Sequence, residues 1–192
     1  MQHSLRGLTP RRYALIRDRN RRAERSAPQV PASATTALPP EAVGFHDDLH
    51  VLLATAPGFP DNTWQLRLRR DHPVLFDHES DHISGMALLE ACRQAATALA
   101  LPAPGSSAPR QCILTAATAS YQTFGELNSP VTLTALPASC GHSSASDMRM
   151  LQLTARQGGR TLITATVTTA TAGTNKPECT VPHRGDRARV TS

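Results

Sequence analysis

The chain has 192 residues, which suits one domain with tails. Its net charge of +5 is unevenly placed: residues 1–30 hold eight arginines against Asp18 and Glu24, whereas residues 45–172 hold eight arginines against ten acids. No window approaches eighteen uninterrupted apolar residues and the N-terminus lacks an apolar signal core, so neither a membrane span nor secretion is expected and the reading is cytoplasmic.

Residues 1–42 read as a basic disordered tail and linker, with a short helix conceivable from Arg11 to Arg25 and a Pro/Ala/Ser/Thr stretch at 28–41. The arginines there would suit nucleic acid or an acidic carrier protein. Only Tyr13 interleaves with them and no helix-turn-helix spacing is evident, so a solvated tail is preferred and nucleic acid is not an expected partner. The body is assigned to residues 43–172, and 173–192 to a disordered C-terminal tail.

Within the body, Leu49, Val51 and Leu53 alternate with polar or small residues and predict a first strand. Trp64, Leu66 and Leu68 alternate with Gln65, Arg67 and Arg69, predicting a half-buried second strand. An irregular polar segment runs from Asp71 to Ser84. Gly85 to Leu101 then predicts a helix, ended by Pro102 and Pro104. Four further strands are expected at about Gln111–Phe124, Val131–Ser139, Met148–Arg156 and Thr161–Ala170. Gln157-Gly158-Gly159-Arg160 joins the last two as a tight hairpin. The order strand, strand, helix, four strands is an α+β layout with one helix against an antiparallel sheet.

The helix is apolar nearly all round, which is the mark of a buried helix. Cys92 lies in it, where a buried and inert thiol is expected. The four cysteines (Cys92, Cys112, Cys140 and Cys179) are widely spaced with no CxxC pair, against structural zinc and against a disulfide framework. The polar interruptions of the helix are Glu90, Arg93, Gln94 and Thr97, at i, i+3, i+4 and i+7, hence one narrow stripe. Two readings stand: a water-facing edge with an ordinary Glu90–Arg93 pair, or the lining of a cleft in which Arg93 holds Glu90 as a base.

Just before the helix, residues 71–82 carry His72, His78 and His82 with four acids, Asp81 among them. A metal site, a solvated loop and a catalytic loop with His78 facing Glu90 are all compatible with that composition. The spacing matches no metal motif, so neither metal nor cofactor is expected. The helix N-terminus offers free N–H groups near Gly85 and Met86 that would polarise a carbonyl oxygen.

The segment DHPVLFDHESDHISGMALLEACRQA, residues 71–95, resembles the signature of the A-factor (γ-butyrolactone) biosynthesis hotdog family, AfsA type. YQTFGELNSP at 121–130 and the 157–160 hairpin resemble later segments of the same family, and the likeness covers roughly residues 43–172. It implies a hotdog fold, a long central helix wrapped by a curved antiparallel sheet. The five-residue offset from Gly85 to Glu90 is that of hotdog dehydratases, and His78 stands where their loop histidine would. The family's implied activity is transfer of a β-ketoacyl group from an acyl carrier protein thioester to the hydroxyl of dihydroxyacetone phosphate. On that basis Glu90, Arg93 and His78 are the expected catalytic residues, and Gly85, Met86, His82, Asp81 and Gln94 the expected substrate-binding ones. A dehydratase or thioesterase acting on acyl thioesters, and a non-catalytic hotdog binding module, are the alternatives.

Ser84 and Glu79 stand where the family has proline, which implies a less rigid loop. Only the second of the family's two hotdog repeats is resembled. A homodimer, or a dimer with another hotdog protein, is therefore expected, with the site at the seam.

Overall fold

The computed structural model describes residues 11, 14, 15, 18, 34–69, 72, 74–75, 80–101, 110–138 and 148–173. Of the expected N-terminal helix only Arg11, Ala14, Leu15 and Asp18 are described, all four helical; the rest of it, most of the basic tail and the C-terminal tail beyond 173 lie outside the described residues. Within the body, seven strands form one sheet: β1 (Thr36–Ala37), β2 (Leu53–Thr55), β3 (Thr63–Leu66), β4 (Arg110–Tyr121), β5 (Thr132–Pro137), β6 (Met148–Gln157) and β7 (Arg160–Gly173). Their order is β1-β2-β3-β5-β6-β7-β4, and every pairing is antiparallel. The body's helix, α1 (Gly85–Ala100), packs on this sheet and touches β2 and β4 to β7. This is the hotdog arrangement that the family resemblance implies, and it agrees with the α+β layout read from the element order.

Period-2 alternation holds in the late strands. Leu151, Leu153 and Ala155 of β6 and Ile163, Ala165 and Val167 of β7 are buried in one core with Ala87, Leu88, Ala91, Cys92, Ala95 and Ala96 of α1. The small alanines of the helix let it approach the sheet closely. Gly158 and Gly159 both have positive φ, 55° and 77°, the backbone that a two-residue primed turn requires.

The early strands depart from expectation. Asp47 accepts a hydrogen bond from the Leu49 amide at 3.0 Å and starts a 3-10 turn, Asp48–His50. That local cap overrides the Leu49/Val51/Leu53 alternation, and Val51 to Ala54 are all buried. β3 is not half-buried: it sits between β2 and β5, and Thr63 and Gln65 are buried along with Trp64 and Leu66. The linker reading of 28–41 fails in its second half. Thr36 and Ala37 pair with β2, and a 3-10 turn at Pro40–Val43 seats Val43 in the core. Two prolines in a row set that turn rather than a loose tether.

Strand β4 forms one end of the sheet. Its Ile113 and Leu114 are 45% and 42% exposed, an apolar edge that a folded protein ordinarily covers. Among the described residues no helix is long and apolar enough to cross a membrane.

Candidate active site

The polar stripe of α1 does not face water. Gln94 is fully buried, Thr97 nearly so, and Glu90 and Arg93 are half-buried. Opposite them lies the segment from Val43 to Leu52, which the turns at Pro40–Val43 and Asp48–His50 fold against the helix. Gly44 (φ 82°) reverses the chain between Val43 and Phe45. This lets the Val43 carbonyl accept from Arg93 Nη2 at 3.3 Å and the Phe45 ring lie 5.1 Å from the guanidinium carbon.

Glu90 is the focus of this network. Arg93 donates to both of its oxygens, from Nε to Oε2 and from Nη2 to Oε1, each at 2.8 Å. Gln94 Nε2 donates to Oε1 at 3.0 Å and to the His50 carbonyl at 2.8 Å, while its Oε1 accepts from the Leu52 amide at 2.8 Å. One buried amide thus ties the carboxylate to the backbone on either side of Val51. The bond to Glu90 raises the Arg93 pKa above its ordinary value, against the opposing effect of burial. Arg93 also reaches Thr97 Oγ1 at 3.4 Å from Nη1, so most of its fork goes to holding Glu90, Thr97 and the Val43 segment.

Glu90 and Arg93 open onto a cleft of about 480 Å³ whose walls are mostly carbon: Val74, Leu75, Met86, Leu89, Leu114 and Val167 among them. His50 and His72 line the same cleft. His50 Nδ1 lies 2.9 Å from His72 Nε2, and His72 Nδ1 accepts from the Val74 and Leu75 amides at 3.2 and 3.1 Å. His72 belongs to the predicted His–Asp loop but not to the predicted site. His50 carries no periodic or motif signal at all. The burial of Cys92 pushes its thiol up to about 12, as an inert core cysteine requires.

The remaining predicted residues divide. Met86 lines the Glu90 cleft, and Gln94 supports Glu90 from beneath. His82 and Gly85 line a second cleft of about 320 Å³, with Tyr121 and Phe124. There Asp81 Oδ1 accepts from His82 Nδ1 at 2.8 Å, and the His82 ring meets the Phe124 ring edge-on. The structure therefore does not bring Asp81 and His82 to the carboxylate. His78 lies outside the described residues. Ser84, in place of proline, caps α1: its Oγ accepts from the Ala87 amide at 3.1 Å and donates to the Leu75 carbonyl at 3.3 Å. The hydroxyl ties loop to helix, which offsets the lost ring.

The A-factor biosynthesis hotdog domain matches residues 26–173. A 2-oxo-3-(phosphooxy)propyl 3-oxoalkanoate synthase of Streptomyces coelicolor is 37% identical over 86 residues, which are 45% of this chain and 27% of that protein. A synthase of the same name from Streptomyces virginiae is 32% identical over 106 residues, 55% of this chain and 33% of that one. The chain thus matches a third or less of the length of these relatives. Among solved structures, a thioesterase from Haemophilus influenzae superposes with a TM-score of 0.47 at 11% identity, covering 63% of this chain and 79% of its own.

Proposed function

The chain belongs to the A-factor biosynthesis hotdog domain family, and from that premise we propose that it is an acyltransferase of γ-butyrolactone formation. The reaction moves a β-ketoacyl group from an acyl carrier protein thioester to the hydroxyl of dihydroxyacetone phosphate. The observation that carries this reading is a carboxylate held by three N–H donors at the wall of an otherwise apolar cleft. The carbon walls suit an acyl chain. Glu90 Oε2, which among the described residues accepts only from Arg93 Nε, takes the acceptor's hydroxyl proton as its oxygen attacks the thioester carbon. The carbon–sulfur bond then breaks and the proton passes from Glu90 to the departing sulfur.

Arg93 is the residue that fixes Glu90, not the phosphate clamp, because four of its five N–H bonds are donated to protein partners. The amides of Gly85 and Met86 at the start of α1 are proposed as donors to the thioester oxygen. His78 retains its proposed catalytic role on the family resemblance alone. Asp81 and His82 are proposed to touch substrate through the second cleft.

The working unit is proposed to be a dimer, with itself or another hotdog protein. Val74, Met86 and Leu114, at 72%, 64% and 42% exposure, rim the cleft next to the β4 edge. A second subunit paired along β4 would cover this apolar rim and close the acyl tunnel.

The test is mass spectrometry of the products formed from a β-ketoacyl carrier protein and dihydroxyacetone phosphate, with light scattering on the same sample. The expected result is the phosphorylated β-ketoacyl ester, formed by a species of twice the chain mass. Release of the free β-keto acid without ester would turn the reading to a thioesterase. A fully active monomer would remove the dimer.

A further inference from the structure

The His50–His72 pair has one consistent proton arrangement. His72 Nδ1 accepts from two backbone amides, Val74 at 3.2 Å and Leu75 at 3.1 Å, so that nitrogen carries no proton. His72 is buried, and with Nδ1 an acceptor its ring proton sits on Nε2, which donates to His50 Nδ1 at 2.9 Å. His50 Nδ1 is thereby an acceptor, and the His50 proton must sit on Nε2. Asp47 Oδ2 lies 3.9 Å from that nitrogen, too far for a hydrogen bond. The His50 backbone is fixed independently, since its carbonyl accepts from Gln94, which also holds Glu90. Phe45 packs on the His50 ring, with centroids 5.2 Å apart. A neutral imidazole with one unspent N–H therefore lines the same cleft as the carboxylate.

We infer that His50 is a second catalytic residue of this cleft, donating a hydrogen bond from Nε2 to the thioester carbonyl oxygen as negative charge develops there, and that His72 is the positioning residue that sets its tautomer. This rests on the acyl-transfer reading. His50 gives up and gains no proton: the hydroxyl proton goes to Glu90 and from there to the leaving sulfur. A neutral donor fits the geometry because a second proton on either ring meets an N–H, from His72 Nε2 at His50 and from two amides at His72. The fixed ring also needs little reorganisation during reaction, which is what makes such donors effective.

The experiment has two arms on the full chain. In the kinetic arm, His50→Ala is expected to lower kcat for ester formation by about 10²–10³-fold with KM for the acyl thioester little changed, as loss of one oxyanion donor does. His50→Gln keeps an N–H donor and is expected to fall between His50→Ala and the wild type. A wild-type kcat in His50→Ala, or a loss carried wholly by KM, would overturn the assignment. In the second arm, long-range proton–nitrogen correlation spectra of the 15N-labelled wild type read the tautomers without any turnover. Both rings are expected as Nε2–H, and the His50 Nε2–H proton is expected to move downfield when an acyl-pantetheine thioester is added. Nδ1–H at His50, or no movement on addition, would overturn it. A wild type that makes no ester would defeat the acyl-transfer reading, and the spectra would then decide the His50 contact alone.

Discussion

Replacing Glu90 with glutamine is expected to lower kcat for ester formation by about 10²–10⁴-fold while leaving a folded chain, the range over which a positioned base contributes. An amide of the same size cannot take the acceptor proton. It also cannot satisfy its surroundings. Arg93 Nε faces one oxygen, and Arg93 Nη2 and Gln94 Nε2 face the other. Whichever way the amide turns, its NH2 meets a donor, which adds a stability loss of about 1–3 kcal/mol. The apolar walls are untouched, so KM for the thioester should hold. Glu90→Asp keeps the charge but withdraws it by one methylene, and is expected to lie between the two. Single-turnover kinetics with thermal unfolding on the same samples separates the chemical loss from the structural one. A Glu90→Gln enzyme within about threefold of wild-type kcat would take the base role from Glu90, because proton transfer by a placed side chain is worth far more than that.

The fold was legible where a strand's period matches its burial. β6 and β7 show polar–apolar alternation because one face packs on α1 and the other does not, and the Gly-Gly turn between them needs positive φ at both positions. Legibility failed where local hydrogen bonding or position in the sheet set the backbone instead. The Asp47 cap turned a predicted strand into a 3-10 turn, and Thr36–Ala37 joined the sheet from a stretch whose composition reads as linker. A two-residue strand is too short to carry any periodicity.

Half of the candidate site was legible, for a related reason. Glu90, Arg93, Gln94 and Thr97 share one helix, so the 3.6-residue period alone puts them on one line. The stripe is polar because it faces the Val43–Leu52 segment rather than bulk water, and its members bond to carbonyls and an amide of that segment. His50 and His72 are 22 positions apart and meet only through tertiary folding, so no spacing rule links them. Asp81 and His82 are adjacent to the helix in sequence but turn to its other side, because Ser80 and Glu126 hold the backbone at His82.

Gln94→Glu is the substitution expected to be most costly to the folded state, and its cost is expected to depend on pH. The Gln94 side chain is fully buried and makes three hydrogen bonds, one as acceptor and two as donor. A glutamate keeps the acceptor toward Leu52 but places a second oxygen against the His50 carbonyl and against Glu90 Oε1, where the native Nε2 sits 2.8 and 3.0 Å away. Two carboxylates so close and so buried do not both ionise, so the introduced acid has its folded pKa raised above the unfolded value of about 4.3. The sign follows from linkage: the unfolded chain releases the proton first, so the variant is least impaired below about pH 4.3 and loses stability as pH rises toward the raised folded value. A folded value at or above about 7 would make it about 3–4 kcal/mol worse at pH 7 than at pH 4, each pKa unit being about 1.4 kcal/mol. That is a thermal midpoint lower by about 6–16 °C for a chain of this size. Gln94→Met provides the reference. It leaves the Leu52 amide and the His50 carbonyl without their partner, a cost with no titrating group in it. Midpoints of both variants against wild type, measured from pH 4 to pH 8, should diverge with rising pH. Parallel curves would show that the introduced acid escapes to water, and that Gln94 does not clamp Glu90 in a closed site.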